Sequence, residues 1–259
     1  MPKSLKSLAH SGELAVGTSI FEFATPGIGH ILAAAGCDYA FLDMEHSGFS
    51  LETVKAALRF LEAGGIPALV RVPSRDRHDI SGLADAGAEG IMVPLVGTAE
   101  VARAAVEALK YPPEGRRGVA LGIAHDSYRN PATPAAGLAA ANARTTLVIL
   151  IETADGVENV EAIAAVPGVD MLWIGHFDLS TSLGIPGEFD HPRFRAATGR
   201  VVAAARANGL GLGRLVSSAA EAGEVWRDGF RMICWSGDVW LLQGAIAAGM
   251  RELRRIGGA

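Results

Sequence analysis

Eight short apolar runs rich in strand-forming residues recur along the chain, each followed by a longer, Ala-rich stretch with helical periodicity. This alternation restricts the fold more than any other feature, because a strand reaches a parallel neighbour only through a crossover, most often a helix. The strand segments are Leu14 to Ile20, Tyr39 to Asp43, Ala68 to Val72, Gly90 to Val93, Leu147 to Ile151, Met171 to Ile174, Leu210 to Leu215 and Arg231 to Trp235. The helical segments are about Gly27 to Ala35, Leu51 to Ala63, Arg77 to Ala86, Thr98 to Leu109, Gly156 to Ala165, Pro192 to Ala207, Ala219 to Arg227 and Val239 to Arg254. Runs such as LVILI at 147–151 and MLWI at 171–174 are apolar on both faces, as strands are when helices cover one side and a packed interior fills the other. The pattern predicts an α/β chain closed into a (β/α)8 TIM barrel. A doubly wound nucleotide-binding sheet is disfavoured: there is no GxGxxG or GxxxxGK[ST], and GLGLG at 209–213 follows a helix and leads into a strand.

A length of 259 residues suits one barrel, and no linker divides the chain. The expected organisation is a single domain over 1–259, with a long loop at about 111–146 that serves as lid, binding loop or oligomer contact, and a C-terminal helix at about 239–254. With 49% hydrophobic and 20% charged residues the chain has the composition of an ordinary globular core. Its net charge of -5 and scattered Lys and Arg residues exclude nucleic acid and anionic membranes as expected partners. Cys37 and Cys234 lie far apart, so neither a disulfide framework nor a CxxC metal knuckle is available. Without an apolar leader or a membrane-length run, the expectation is a cytoplasmic protein acting on small molecules.

In such barrels chemistry collects at the carboxyl ends of the strands. There the sequence places Asp43, Glu45 and His46 after the second strand, Arg71 at the third, Glu152 at the fifth and Asp178 after the sixth. Each alone has an ordinary structural explanation as a cap, surface charge or loop residue, but four strand ends carrying such groups on one rim form a candidate site. Glu152 and Asp178 follow consecutive strands, which run about 4.8 Å apart, so both carboxylates can reach one ion. Two carboxylates with no His or Cys cluster suit a hard divalent cation, Mg2+ or Mn2+ with Co2+ as a further option, and no organic cofactor. A 2-oxo acid completes such a half-filled shell through its carboxylate and keto oxygens, and the cation then stabilises the enolate formed when C3 loses a proton. Arg71 is placed to steady the negative oxygen. His46 is the natural acid/base, with Asp43 or Glu45 to fix its tautomer and Asp43 the better placed because it closes the strand.

The lysines give an independent exclusion. An aldolase working through an imine needs a lysine inside the barrel, and the chain has only Lys3, Lys6, Lys55 and Lys110, none on an expected strand.

Together the segments FLDMEHSGFSLE, LVRVP, AGAEGIMVPLV, YPPEGRRGV, IETADGVENVEAI and GVDMLWIGHFDLSTSLG resemble the HpcH/HpaI family of class II 2-oxo acid aldolases, from Gly17 to about Trp240. The resemblance implies a metal-dependent lyase that makes or breaks a carbon–carbon bond between pyruvate or hydroxypyruvate and an aldehyde. It implies Glu152 and Asp178 as metal ligands, His46 as acid/base, Asp43 as its partner and Arg71 on the keto oxygen. Gly175, His176, Phe177 and Leu215 then line the substrate, with the His176 peptide N–H facing the substrate carboxylate and, as the alternative, its ring serving as a second proton-transfer group. It also implies a homo-oligomer, a hexamer whose dimers exchange the last helix. Two departures stand out: Leu150 where these aldolases often carry Gln, and Gly175-His176-Phe177 where they usually read GPx before the Asp-Leu pair. Both alter the walls near the metal and remove no ligand.

Competing readings are an oxaloacetate decarboxylase or CoA-thioester lyase of the same superfamily, a phosphate-gripping barrel isomerase, and a non-catalytic binding protein. The chain shows no evident basic cleft for a CoA diphosphate. Asp238, beside Ser236-Gly237, would repel the phosphate of an isomerase substrate.

Overall fold

A computed structural model of the chain describes residues 4–256. Eight parallel strands close in sequence order into a barrel, β1 pairing with both β2 and β8. They are β1 Ala15–Ile20, β2 Tyr39–Asp43, β3 Ala68–Arg71, β4 Gly90–Val93, β5 Thr146–Ile151, β6 Met171–Ile174, β7 Gly211–Val216 and β8 Met232–Gly237. The helices around them are α1 Leu5–His10, α2 Ile28–Ala34, α3 Leu51–Ala63, α4 Arg77–Asp85, α5 Ala99–Leu109, α6 Pro134–Arg144, α7 Ala154–Glu158, α8 Val160–Ala164, α9 His176–Ser182, α10 Pro192–Ala207, α11 Ala219–Asp228 and α12 Asp238–Ile256. Every expected strand is present with its ends within two residues. Lys3 lies outside the described residues. No helix among the described residues is long and apolar enough to cross a membrane.

Two apolar layers result from the double-sided strands. Outward-facing residues such as Leu42, Val70, Ile91, Ile149 and Ile174 pack against the helix ring. Inward-facing Tyr39, Phe41, Leu69, Met92, Val148, Leu150, Met171 and Trp173 fill the barrel. The large interior rings need small neighbours: a Cβ on Gly213 would stand 2.0 Å from the Trp173 ring. The segment before β1 closes the amino end, since Leu5 and Leu8 of α1 are buried beneath the barrel, and a Cβ on Gly90 would meet Leu5 at 2.1 Å.

Three expectations are corrected. The connection at 111–146 is not one loop: it carries a short 3-10 turn at Ala124–Asp126 and the whole of α6. Its head is an anchor, because Tyr111 is buried and Arg117 lies over its ring at 4.5 Å while pairing with Asp85. The Ala-rich α6 has little contrast between its faces, although Thr133 followed by Pro134 is a helix-start signal that could have been read. The expected helix at 156–165 is two short helices broken at Asn159. Residues 176–182, where no helix was expected, form α9 and put Asp178 in its first turn.

Candidate active site

The carboxyl ends of the strands surround a cavity of about 630 Å3. His46, Arg71, Glu152, Gly175, His176, Phe177, Asp178 and Leu215 all line it, so the residues singled out on separate strands converge. Asp43 lies beneath them, fully buried.

Arg71 ends β3 beside Asp43, its register partner at the end of β2. Its Nε donates to Asp43 Oδ1 at 2.9 Å, its Nη2 pairs with Asp43 Oδ2, and its Nη1 meets Glu45 Oε2 at 3.0 Å. A guanidinium has five N–H groups; the two hydrogen bonds to Asp43 use one on Nε and one on Nη2, and the Nη1–Glu45 contact is an ion pair without hydrogen-bond geometry, so at least one N–H stays free on each terminal nitrogen. The guanidinium pKa is raised overall: the Asp43 hydrogen bond and the charges of Asp43, Glu45 and Glu152 outweigh burial, the largest single influence, which lowers it.

Asp43 therefore does something other than the expected task. Its carboxylate accepts from Arg71 and from the amides of Glu45 at 2.9 Å and His46 at 3.4 Å. Among the described residues no hydrogen bond joins it to the His46 ring. Asp43 orients Arg71 and shapes the turn that carries His46, which is exposed at the cavity mouth.

Glu152 is 2% exposed. Its Oε1 accepts from the amide of Leu95 at 2.7 Å, and Leu95 adopts a left-handed φ of 54° to present that group. Its other oxygen lies against Gly175, where a Cβ would approach Oε2 to 2.6 Å, so only glycine fits. Burial pushes its carboxyl up to about 7, with Glu45 and Asp178 adding to the rise and Leu95 and Arg71 opposing it. A bound cation would favour the ionised form of a carboxyl buried beside two other carboxylates. Asp178, exposed, supplies a second carboxylate on the same wall. No cluster of three His, Cys, Asp or Glu residues able to hold a metal occurs among the described residues. The pair fits a hard ion whose remaining positions go to water or substrate oxygens and does not fit a closed structural site.

The His176 ring is 7% exposed and packs against Phe177 at 4.5 Å and Phe189 at 5.1 Å between centroids. Burial first, and the Arg214 cation second, lower its pKa to about 4, so it is neutral near pH 7. The floor is apolar: Phe41, Met92, Leu150 and Trp173. Sequence reasoning missed Phe21, Glu22 and Trp240, which also line the mouth. Phe21 and Glu22 follow directly on β1, a strand end that drew no attention because it carries no cluster of titratable groups. Among the described residues no lysine lines the cavity; Lys110 is buried at the other end of the barrel and Lys55 sits on α3.

A profile of the HpcH/HpaI aldolase/citrate lyase proteins matches residues 22–245. This chain belongs to that family. A hydroxypyruvate/pyruvate aldolase of Chromohalobacter salexigens is 36% identical over 223 residues, covering 86% of this chain and 87% of that protein. A 4-hydroxy-2-oxovalerate aldolase of Novosphingobium aromaticivorans is 38% identical over 226 residues, covering 87% and 80%. Among solved structures, an HpcH/HpaI aldolase from Desulfitobacterium hafniense superposes with a TM-score of 0.91 at 35% identity, over 97% of this chain and 96% of that one. The activity class of this HpcH/HpaI chain is that of an aldolase, a carbon–carbon lyase. The family is generally dependent on a divalent metal, in keeping with the carboxylate pair.

Proposed function

We propose that the protein cleaves a 4-hydroxy-2-oxo acid, reversibly, to pyruvate or hydroxypyruvate and an aldehyde, with Mg2+ or Mn2+ held by Glu152 and Asp178 and Co2+ compatible with the same oxygens. The observation that carries this reading is the convergence of the buried Glu152 carboxylate with Asp178 and Arg71 on one cavity. The bound cation would supply Lewis-acid polarisation of the 2-oxo group.

The chain's own residues account for the rest. Arg71, held rigid by Asp43 and Glu45, directs its two spare N–H groups at the keto oxygen, where negative charge collects as the C3–C4 bond breaks. The first-turn N–H groups of α9 at His176 and Phe177, which have no partner within the helix, receive the substrate carboxylate beside Gly175. Leu215 and the apolar floor exclude water beneath the donor. His46 takes the C4 hydroxyl proton in cleavage and returns it to the alkoxide in condensation.

A cytoplasmic homo-oligomer, specifically a hexamer, is part of the same proposal. Association between copies is supported by α12, a helix of 19 residues with none buried, which carries exposed Leu242, Ile246, Met250 and Leu253.

The test is incubation with pyruvate and Mn2+ in D2O. Deuterium should enter the methyl group, excess chelator should stop the exchange and Mg2+ or Mn2+ should restore it. Exchange at full rate in chelator would overturn the metal assignment. An adduct on Lys3, Lys6, Lys55 or Lys110 after borohydride treatment with pyruvate, with loss of activity, would replace it by imine chemistry.

A further inference from the structure

The barrel order sets two arcs of the mouth against each other. Glu152 leaves β5 and Asp178 follows β6, whereas Phe21 follows β1, His46 follows β2 and Trp240 follows β8. In a closed eight-stranded ring β1 faces β5 and β2 faces β6. The donor acid sits on the carboxylate arc, so the aldehyde must occupy the β8–β1–β2 arc, where His46 can reach its oxygen.

That second arc is a built surface. Asp238, at the start of α12, accepts the amides of Phe21 at 3.0 Å, Glu22 at 3.0 Å and Phe23 at 2.8 Å, and that of Val239 at 2.8 Å. One carboxylate thereby ties the segment after β1 to the segment after β8, more than 200 residues away in sequence. The tie brings Phe21 and Trp240 edge to face, ring centroids 5.1 Å apart at 70°. Both rings close over Gly237, where a Cβ would stand 2.7 Å from Trp240 and 2.9 Å from Phe21. An aromatic edge fixed by backbone clamps on both sides loses little side-chain freedom when a flat apolar group packs on it.

The charges on the same arc point the same way. Arg71 is the only Lys or Arg lining the cavity among the described residues, and Asp43 and Glu45 already hold it. The ionisable groups lining this arc are Glu22 and His46, and His46 is committed to the aldehyde oxygen. A carboxylate on the aldehyde would meet an acidic group and no unclaimed cation.

Resting on the aldolase reading above, we infer that Phe21 and Trp240 form the acceptor wall and that the enzyme's acceptor is an uncharged aldehyde with an aromatic or alkyl substituent, rather than a carboxylated aldehyde. Asp238 is the positioning residue of this wall.

The experiment compares addition of pyruvate to benzaldehyde and to succinic semialdehyde under Mn2+, alongside methyl exchange of pyruvate in D2O without acceptor. In the wild type kcat/KM should favour benzaldehyde by about tenfold or more, and Phe21→Ala and Trp240→Ala should each shrink the ratio several-fold, as expected for loss of an aromatic contact of about 1 kcal/mol. Both aldehydes are measured on the same preparation, so a partly unfolded variant lowers both rates and leaves the ratio intact. Glu22→Lys should move the ratio toward succinic semialdehyde. A wild type that prefers succinic semialdehyde, or alanine variants with an unchanged ratio, would overturn the proposal while methyl exchange leaves the aldolase reading standing. Absence of exchange in the wild type overturns that reading and this one with it.

Discussion

At the amino end of the barrel Lys110 and Asp170 have full sets of partners, whereas at the carboxyl end Glu152 has one amide donor among carboxylates. Lys110, 1% exposed, donates to Asn142 O and Thr145 O at 2.7 Å each and to Thr145 Oγ1 at 2.9 Å. Asp170 pairs with Lys6 at 3.1 Å and accepts the amide of Leu147 at 2.9 Å. Burial and the nearby Lys6 still lower the Lys110 pKa to about 8, but its protons all have acceptors of fixed position. Glu152 has a single amide donor, two acidic neighbours, and an arginine already claimed by Asp43. The same fold thus spends buried charge in two ways. Where partners are complete it holds elements together, and where they are deficient it leaves room for a cation and substrate, in line with stability at one face of a barrel and chemistry at the other.

Five substitutions separate these roles, and the largest effect belongs to the deficient end. Asp178→Asn or Glu152→Gln should lower aldol turnover by at least about 1000-fold, beyond the loss of one oxyanion donor, measured with saturating Mn2+. In chelator Glu152→Gln should also raise the melting temperature near pH 7. Its carboxyl pKa is raised in the folded state from 4.5 to about 7, so ionisation opposes folding as pH climbs through that window, and the gain should vanish toward pH 4.5. A variant that loses both turnover and stability would contradict the contrast, since Glu152 would then be a structural ion like Lys110.

Arg71→Lys should cost about 100-fold in turnover with a smaller change in apparent donor affinity, because the charge survives but the fork shared with Asp43 and Glu45 does not. A pure affinity loss would make Arg71 a carboxylate clamp. At the complete end, Lys110→Met should leave the KM of the folded enzyme unchanged and destabilise the fold by about 1–3 kcal/mol, the cost of orphaned buried acceptors, read by urea unfolding. His10→Gln should be the mildest. Its contact with Asp170 is 3.5 Å and the side chain is 38% exposed, so a change of about 0.3 kcal/mol is expected. A loss several times larger would show that the Lys6–Asp170–His10 group acts as one network.

The eight strands were legible in the sequence because burial on both faces demands unbroken apolar runs such as 147–151, a signal carried by neighbours in the chain. The same holds for Glu152, Arg71 and Asp178, since ionisable groups just past apolar strands stand out one at a time. Only the start of helix α6, Thr133-Pro134, was legible, because its Ala-rich body packs by its smallness and shows little periodic contrast.

What the sequence determined by itself was the alternation, and through it the closed barrel, its working rim and the residue types on that rim. Tertiary structure alone decided which partner each of those residues takes. Asp43 was expected beside His46, three positions on, yet strand pairing sets it against Arg71, and a carboxylate gains more from a bidentate guanidinium than from a loop imidazole. Asp238 and Phe21 are 217 positions apart, and they meet because a ring must close its last strand on its first. Local pattern specifies elements through interactions a few residues long. Contacts across the mouth depend on closure and register, which no stretch of sequence carries by itself.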